Sequence, residues 1–173
     1  MEIYVPDIYQ QDIYKIDYDM LIQRGIKFLI FDLDNTLVTI MERLPRLETK
    51  ELFKKLKDKG FKIYIASNSI NARVKPFGED LKVSYRSSAG KPDTDVINEI
   101  VESSKFGIDE IAMIGDSMMD DVVCGNTIGI TTILIDQIGK KEFPMAKLKR
   151  FKEKKIQKHL RDADLFTKGR YYV

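Results

Sequence analysis

Histidine and cysteine are almost absent from this chain of 173 residues, and tryptophan is absent altogether. The one cysteine, Cys124, cannot form an internal disulfide or a cysteine-based zinc site. A lone thiol also favours a reducing, cytoplasmic location. The one histidine, His159, cannot supply a multi-histidine metal site, and a Ser-His-Asp triad would have to use it as base. If the chain is an enzyme, we therefore expect carboxylates to carry out its acid–base chemistry.

Long apolar runs and a secretory signal are also lacking. No apolar stretch approaches the roughly 18 residues of a membrane span, and the N-terminal segment has no basic stretch followed by an apolar one. The net charge of +2 neither demands nor excludes nucleic acid. With 43% hydrophobic residues, we expect a single domain over 1–173. Its core should cover about 20–138, followed by a basic helical segment over about 142–161.

Short apolar segments rich in β-branched residues alternate with helical patterns along the chain. The predicted strands begin at Ile26, Phe61, Leu81, Ile111 and Ile130. All are continuous apolar runs, as in buried parallel strands, except the alternating segment LKVSY. Helices are predicted over 47–59, 71–78, 92–105 and 116–126, with Pro92 in a first helical turn. This alternation is typical of an α/β fold with a single doubly wound, Rossmann-like parallel sheet flanked by helices.

Unusual polar residues follow the ends of four predicted strands. In chain order they are Asp32, Asp34, Ser67, Asn68, Lys91, Asp116, Asp120 and Asp121. The carboxyl ends of parallel strands lie at one edge of the sheet, which is where ligands bind in such folds. We therefore expect these side chains to converge on one site.

The pair Asp32 and Asp34 has simpler explanations when it is considered alone. An EF-hand loop needs glycine at its sixth position and glutamate at its twelfth, but Leu37 and Arg43 stand there. Asp34 could instead cap a helix, which is a common role for a single Asp after a strand. Capping leaves the second carboxylate, Asp32, unexplained.

As a set, these residues suit the hydrolysis of a phosphate monoester, which is extremely slow without a catalyst. Asp32 could attack phosphorus and form an aspartyl-phosphate, while Asp34 protonates the leaving oxygen and later deprotonates water. Mg²⁺ held by Asp32 and Asp116 would offset the charge repulsion. Lys91 and Ser67 would hold the remaining phosphoryl oxygens.

The motifs resemble those of haloacid dehalogenase (HAD) superfamily phosphatases. The matching stretches are DLDNT from Asp32, SN from Ser67, KP from Lys91 and GDSMMDD from Gly115. More closely, the chain resembles YqeG-type phosphatases of the IIIA subclass, which are related to phosphatidylglycerophosphate phosphatases. The likeness covers roughly residues 7–160.

The resemblance implies a role for each matching position. Asp32 would be the nucleophile, and Asp34 would be the acid/base group and would also reach the metal through its backbone carbonyl. Asp116 would complete the Mg²⁺ site. The residues implied to bind phosphate are Ser67, Asn68 and Lys91.

Two positions depart from the pattern of the family. Relatives often have Thr-Asp where this chain has Asp120 and Asp121, so which of the two supports the metal or Lys91 stays open here. Many relatives also have an asparagine where this chain has Ser69. Neither change removes a residue that the mechanism requires.

The segments between the motifs are too short for an additional domain. HAD enzymes that act on small metabolites usually insert a cap after the first motif or between the second and third. Here residues 39–45 and 71–90 fill those positions, so we expect a capless, solvent-open site. Such a site suits a large or surface-displayed substrate, such as a lipid headgroup, a protein or a nucleic acid. Phosphatidylglycerophosphate is the lipid that the resemblance favours.

The C-terminal segment KKEFPMAKLKRFKEKKIQKHLR is rich in lysine and arginine. A basic amphipathic helix can bind an anionic membrane surface, here the inner face of a membrane. A docked helix with a solvated basic face and a contact with RNA are the alternatives, and no obligate nucleic acid is expected. The residues expected on its apolar face are Met145, Leu148, Phe151, Ile156 and Leu160.

Two other protein classes deserve comparison with a phosphatase. A response-regulator receiver also combines aspartates, a hydroxyl residue and a lysine on a doubly wound sheet. In a receiver, the acidic pair comes first in the chain and the phosphorylated Asp lies at the third strand. Here the candidate nucleophile Asp32 opens the sheet, and the acidic cluster follows Lys91. A catalytically silent HAD-fold regulatory protein, which binds a membrane or RNA through the basic segment, stays open as the alternative function.

Overall fold

The computed structural model describes residues 2–140 and 144–169. Strands and helices alternate along most of the chain, as the sequence predicts. The strands are β1 (Ile8–Gln10), β2 (Phe28–Phe31), β3 (Lys62–Ala66), β4 (Ser84–Arg86), β5 (Ile111–Gly115) and β6 (Thr131–Ile135). The α-helices are α1 (Tyr18–Gln23), α2 (Leu47–Asp58), α3 (Asn71–Leu81), α4 (Asp95–Ser104), α5 (Val123–Ile128) and α6 (Pro144–Asp162).

The strands form one sheet in the order β1-β6-β5-β2-β3-β4. Every neighbouring pair is parallel, so the predicted single doubly wound sheet is confirmed. From β2 the chain first builds outward through β3 and β4, and it then returns to place β5 on the other side of β2. The strand order reverses at β2 and β5, and ligands bind at the carboxyl ends of strands at such a point.

The central strand β2 is buried on both of its faces. Leu29 and Phe31 pack in one hydrophobic cluster with residues of α2 and α3. Phe28 and Ile30 pack in a second cluster with residues of α4 and with Cys124 of α5. Side chains alternate between the two faces of a strand, so a strand covered on both sides is apolar throughout. This double burial gives the residues that follow β2 a rigid support.

Two elements differ from the sequence predictions at the start of the chain and around Pro92. The edge strand β1 has only three residues, too few for a recognisable apolar run, and the sequence patterns did not predict it. Pro92 lies in a turn and α4 begins at Asp95, so the prediction of a first-turn helical proline is wrong. The helix starts later because the chain first turns back, with the Asp93 N–H donating to the Gly90 carbonyl at 3.0 Å.

The predicted helix over 116–126 is replaced by two shorter elements. A turn of π-helix, Met118–Val122, leads into α5. Helix α5 is capped at its C-terminal end by Gly129, where φ is +90°. Gly125 therefore lies inside α5 and not at its end. A Cβ at Gly125 would lie 2.4 Å from the methyl carbon of Thr132, so glycine there allows α5 to approach β6.

Within residues 2–140 and 144–169, no cap domain interrupts the sheet, as predicted. Residues 39–46 form the whole connection between the turn after β2 and the start of α2, and α3 with a short turn connects β3 to β4. Among the described residues, no helix is long and apolar enough to cross a membrane.

Helix α6 corresponds to the predicted basic segment over 142–161, of which residues 142 and 143 lie outside the described part. The prediction of one apolar face is wrong. Leu160 is buried and Ile156 packs beside it, whereas Leu148 and Phe151 are exposed. The side chain of Met145, also assigned to that face, lies outside the described residues. The inner side of α6 instead carries a buried carboxylate, Glu153, which contacts the turn after β5.

Candidate active site

The turn after β2 carries Asp32 and Asp34. The Asp32 N–H donates to the Ile114 carbonyl at 2.9 Å, which extends the pairing of β2 with β5 by one residue. Asn35 then adopts φ of +62°, a left-handed conformation that asparagine tolerates better than most side chains. The turn therefore holds Asp32 and Asp34 at the carboxyl edge of the sheet, as the sequence predicts.

Lys91 lies between two carboxylates at the centre of the site. Its ammonium group donates to Asp32 Oδ1 at 2.8 Å, to Asp121 Oδ1 at 2.6 Å and to the Ala66 carbonyl at 2.8 Å. The Lys91 side chain is only 2% exposed. Burial lowers the pKa of Lys91, but Asp121 and Asp32 outweigh it, so the pKa lies above its ordinary value. Lys91 is therefore a permanent cation in the site.

Asp32 has a raised pKa. Burial is the largest cause, and the nearby carboxylates of Asp121 and Asp116 add to it, while Lys91 opposes the shift. Asp116 is also buried, and its pKa is raised to about 7 mainly by burial, against the opposing charge of Arg150. These carboxylates crowd one another, and a cation would relieve their repulsion.

Asp32, Asp116 and Asp121 form a group that could hold a metal ion. One carboxylate oxygen from each lies within 4.8 Å of the other two. All three donors are anionic oxygens, which suit a hard divalent cation such as Mg²⁺ rather than a soft one. The carboxylate of Asp34 is not in this group. The family resemblance implies that Asp34 reaches the metal through its backbone carbonyl.

The choice between Asp120 and Asp121 follows from their contacts. Asp121 contacts Lys91 and also accepts from the Ser117 N–H at 3.0 Å. Asp120 instead pairs with Lys149 of α6 at 2.7 Å. Asp121 is thus the member of the pair that supports Lys91 and the carboxylate group.

Gly115, the last residue of β5, allows Asp121 to approach. A Cβ built at Gly115 would lie 2.1 Å from the carboxyl carbon of Asp121, well inside van der Waals contact. Any larger residue would displace that carboxylate from Lys91. The glycine in GDSMMDD therefore has a steric role in the site.

Asp34 is held by the side chains of Ser69 and Arg73. Ser69 Oγ donates to Asp34 Oδ2 at 2.5 Å. Arg73 of α3 donates to Asp34 Oδ1 through Nε at 3.0 Å and Nη2 at 2.8 Å. Arg73 also donates to the backbone carbonyls of Thr39 and Glu42. Arg73 therefore ties Asp34 to the loop that follows it.

We expect Arg73→Leu to lower kcat about tenfold to a hundredfold, because Arg73 holds Asp34, the predicted acid/base group, and such a group loses much of its effect when it is displaced by about an ångström. KM should change less than kcat, since Arg73 does not line the cavity beside Lys91. Steady-state kinetics with an aryl phosphate measure both constants. Lys75→Leu, in the same helix but paired with Glu79 at the surface, is the control. Equal kinetics of Arg73→Leu and wild type would contradict a positioning role.

Ser67 and Asn68 occupy different positions relative to the site. The Ser67 side chain is buried, and its hydroxyl accepts from the Ser69 N–H at 3.2 Å. The Asn68 amide exchanges two hydrogen bonds with the backbone of Lys91, at 2.8 and 2.9 Å. Asn68 thus fixes the backbone that presents Lys91, and its side chain also lines the cavity.

Helix α6 forms a wall of the site that the sequence motifs do not predict. Arg150 pairs with Asp116 and, at 2.7 Å, with Glu153. Glu153 is buried and accepts from Ser117 Oγ and from the Met119 N–H, both at 2.8 Å. The sequence holds one signal for this docking, because Glu153 is the only acidic residue between positions 144 and 161. A lone acid within a basic helix indicates a specific internal partner.

The site encloses a cavity of about 100 Å³. The structure brings most of the predicted residues to it, together with residues of α6. Ser67 does not line it. The lining residues are Asp32, Asp34, Asn35, Asn68, Lys91, Asp116, Ser117, Asp120, Asp121, Lys149, Arg150 and Glu153.

The chain matches family models of one class of hydrolases. A family model described as haloacid dehalogenase-like hydrolase matches residues 29–114, and a related HAD-hydrolase-like model matches residues 88–163. The chain belongs to the haloacid dehalogenase-like hydrolases, as its motifs indicate. Enzymes of this class that act as phosphatases use a divalent metal, which agrees with the acidic group.

Individual relatives narrow the class to phosphatases. The chain is 33% identical over 155 residues to probable phosphatase YqeG of Bacillus subtilis (strain 168), covering 88% of this chain and 89% of the relative. It is 26% identical over 155 residues to phosphatidylglycerophosphate phosphatase 1 of Arabidopsis thaliana, covering 81% of this chain and 43% of that protein. The protein is therefore a HAD-type phosphoric monoester hydrolase that acts on phosphorylated substrates.

Solved structures share the fold. A crystal structure of an uncharacterized protein from Listeria monocytogenes superposes with a TM-score of 0.56 at 20% identity, covering 69% of this chain and 85% of that one. The cobalt-bound deoxy-D-mannose-octulosonate 8-phosphate phosphatase of Haemophilus influenzae gives 0.53 at 16% identity, covering 68% and 82%. At these identities the likeness concerns the fold alone.

Proposed function

We propose that the protein is a Mg²⁺-dependent phosphomonoesterase in which Asp32 is the nucleophile and Asp34 is the acid/base group. The observation that carries this proposal is the 2.8 Å contact between Asp32 and the buried ammonium group of Lys91, beside the carboxylates of Asp116 and Asp121. A fixed cation beside a carboxylate allows a dianionic phosphate to approach that carboxylate. Phosphoryl transfer depends mainly on such positioning and charge stabilisation.

The reaction proceeds in two steps. A carboxylate oxygen of Asp32 attacks phosphorus, the bond from phosphorus to the leaving oxygen breaks, and Asp34 donates a proton to that oxygen. Water then attacks the phosphorus of the aspartyl-phosphate, Asp34 takes a proton from the water, and the bond to Asp32 breaks. Inorganic phosphate leaves, with the Asp32 carboxylate and the Asp34 proton restored.

The residues that would hold Mg²⁺ are Asp32, Asp116 and Asp121, with the backbone carbonyl of Asp34 as a further ligand. When bound, the ion supplies positive charge against the phosphoryl oxygens. Arg150 pairs with Asp116 and keeps that carboxylate in place.

Phosphate binding is assigned to Lys91, Ser67 and Asn68. Lys91 presents its ammonium group directly beside Asp32. Asn68 holds the backbone of Lys91 and lines the cavity. Ser67 directly follows β3 and is buried, and its hydroxyl accepts from the Ser69 N–H.

We further assign the substrate to phosphatidylglycerophosphate, or a lipid of similar headgroup, presented at an anionic membrane surface. One support is the similarity to a protein named for that substrate. A second is the distribution of exposed apolar side chains. Among the described residues, the large hydrophobic side chains that are at least 60% exposed are Met41, Leu44, Leu47, Ile70, Leu148 and Phe151.

Three of these side chains are close in the chain to a residue that contacts an active-site carboxylate. Ile70 follows Ser69, which holds Asp34. Leu148 and Phe151 flank Lys149 and Arg150, which pair with active-site acids. Such an apolar rim favours an interaction surface rather than free solvent.

The loop from residue 39 to residue 46 supplies the rest of the rim. Arg73 binds its backbone while also binding Asp34, so the loop lies beside the acid/base group. Met41 and Leu44 project from it, and Leu47 begins α2. Met41 and Leu44 thus belong to a loop that shares the contacts of Arg73 with Asp34.

The charge of α6 complements an anionic surface. Its 19 residues include Lys147, Lys149, Arg150, Lys152, Lys154, Lys155, Lys158 and Arg161. Basic residues beside exposed apolar ones are typical of peripheral membrane binding, at about 1 kcal/mol for each basic residue near the surface. We therefore place the protein in the cytoplasm, in peripheral contact with the inner face of a membrane.

A vesicle assay tests this assignment. We expect the protein to sediment with phosphatidylglycerol-containing vesicles more than with phosphatidylcholine vesicles, and to hydrolyse phosphatidylglycerophosphate in them faster than phosphopeptides, nucleotides or sugar phosphates. The double variant Leu148→Ser and Phe151→Ser should lose at least tenfold more activity on vesicle lipid than on a soluble aryl phosphate, because about 1.5–3 kcal/mol of burial is lost for each side chain.

Ile108→Ser is the matched control for this assay. Ile108 is also exposed, but it precedes β5 and so lies at the opposite edge of the sheet. Its replacement should leave vesicle binding unchanged. Equal vesicle binding by the double variant and the wild type, or no preference for the lipid substrate, would refute the membrane assignment without affecting the phosphatase assignment.

A further inference from the structure

A second cavity adjoins the catalytic one on the other side of Arg150. It has a volume of about 330 Å³ and lies between the carboxyl end of β6 and α6. Asp116, Arg150 and Glu153 line both cavities. A molecule bound at Asp32 could therefore extend past Arg150 into this second space.

The second cavity contains more basic groups than acidic ones. Its basic lining residues are Arg150, Lys154, Arg161 and Lys168, and its acidic ones are Asp116, Asp136 and Glu153.

The acids of the second cavity already have partners. Arg150 pairs with Asp116 and Glu153. Asp136 pairs with Lys168 and accepts from the Tyr9 hydroxyl at 2.5 Å.

Lys154 and Arg161 are two further cations of this cavity. Neither forms an ion pair with a carboxylate anywhere in the described ranges, 2–140 and 144–169. Arg161 lies over the ring of Phe166, 5.4 Å from its centroid, which holds the guanidinium in place. Gln157 is a further polar lining residue beside them. Two cations about two turns apart on α6, with no acidic partner in the described ranges, suit an anionic group.

We propose that this second cavity binds a second anionic group of the substrate, such as a phosphodiester or another phosphoryl group, while the monoester phosphate lies against Asp32. This proposal rests on the proposed phosphatase function and assigns the recognition of a second phosphate on the substrate to residues of α6. Lys154 and Arg161 bind the second group, and Arg150 lies between the two anions. The cavity would thus provide on α6 the substrate selection for which other members of the class use a cap.

Paired substrates test the proposal. The lipid pair is dihexanoyl phosphatidylglycerophosphate, used below its micelle concentration, and glycerol 3-phosphate. The soluble pair is fructose 1,6-bisphosphate and fructose 6-phosphate. In each pair only the first compound has a second anionic group. Wild type should prefer the two-anion member of at least one pair. A preference within the lipid pair indicates that the second group is a lipid phosphodiester, and a preference within the fructose pair indicates that it is a phosphate monoester.

We expect Lys154→Gln and Arg161→Gln each to raise KM for the preferred two-anion substrate about threefold to tenfold more than KM for its partner, since a partly exposed charge contact is worth about that much. Lys152→Gln, in the same helix but outside the cavity, should alter neither ratio. Thermal melts establish that the variants fold. Equal changes in KM for both members of each pair, or no change in either, would overturn the proposal.

A binding measurement separates this proposal from the phosphatase assignment. Dihexanoyl phosphatidylglycerol has the phosphodiester without the monoester, and calorimetry reports its binding whether or not the protein turns over. If no monoester is hydrolysed, the phosphatase assignment fails. If Lys154→Gln binds this diester and inorganic phosphate as well as wild type does, the second site fails.

Discussion

Replacing Asp32 by asparagine should reduce Mg²⁺-dependent hydrolysis of an aryl phosphate by at least about 10³-fold, because an amide cannot act as the nucleophile. The loss should appear in kcat, since Lys91 still binds phosphate. Burial raises the pKa of Asp32, so the carboxylate is costly to keep ionised in the folded state. Asp32→Asn should therefore unfold at a temperature no lower than that of the metal-free wild type. Calorimetric melts and steady-state kinetics measure the two effects.

An aspartate far from the site provides the control for this prediction. Asp58 is exposed at the end of α2, and Asp58→Asn should retain wild-type kinetics. Residual activity of Asp32→Asn near the wild-type level would exclude Asp32 as the nucleophile. An inactive wild type with every divalent metal would instead favour the catalytically silent binding protein.

Lys91→Met should destabilise the metal-free protein by about 3–5 kcal/mol, because it leaves buried carboxylates without their cation. Lys91 contacts both Asp32 and Asp121 and is itself buried. The variant should also lose most of its activity. Urea denaturation measures the free energy of unfolding, and Mg²⁺ should restore part of the loss by binding the same carboxylates.

The cost of Lys91→Met should depend on pH. Lys91 lowers the pKa of Asp32 against the larger effect of burial, so its removal raises that pKa further. An acid with a raised pKa binds its proton more tightly in the folded state than in the unfolded state. Stability is therefore greatest below the unfolded pKa and falls as the pH rises toward the folded pKa. The variant should lose less stability at pH 5 than at pH 8.

Lys59→Met is the control for the loss of an ion pair as such. Lys59 pairs with Asp19 at 2.6 Å, but both side chains are exposed. Its removal should change the free energy of unfolding by less than about 1 kcal/mol at either pH. An equally small effect for Lys91→Met would contradict the view that Lys91 neutralises the carboxylate group.

The sequence predicts the centre of the site because strand direction determines it. Once the apolar runs before Asp32 and Asp116 are recognised as parallel strands, their following carboxylates must lie at one edge. Lys91 also lies at this edge of the sheet, beside Asp32, as predicted. The choice between Asp120 and Asp121 could not be made from sequence, because both lie in one irregular turn whose π-helical geometry decides which side chain faces inward.

The periphery of the site depends on helix packing, which sequence patterns specify less well. Arg73 reaches Asp34 because α3 begins at Asn71, two residues after Ser69. Helix α6 has apolar residues on more than one side, so its pattern did not identify the buried face. Burial of Glu153 decides that face through contacts with the turn after β5. The three-residue strand β1 was missed because so short a segment has no periodicity.

Trapping the covalent intermediate tests the central assignment most directly. Wild-type protein is mixed with Mg²⁺ and an excess of aryl phosphate, quenched in acid, digested and mapped by mass spectrometry. The proposed mechanism predicts a phosphoryl group on the peptide that contains Asp32, lost from Asp32→Asn and retained in Asp58→Asn. A phosphoryl group on another residue, or rapid turnover by wild type with no phosphorylated peptide, would contradict Asp32 as the nucleophile.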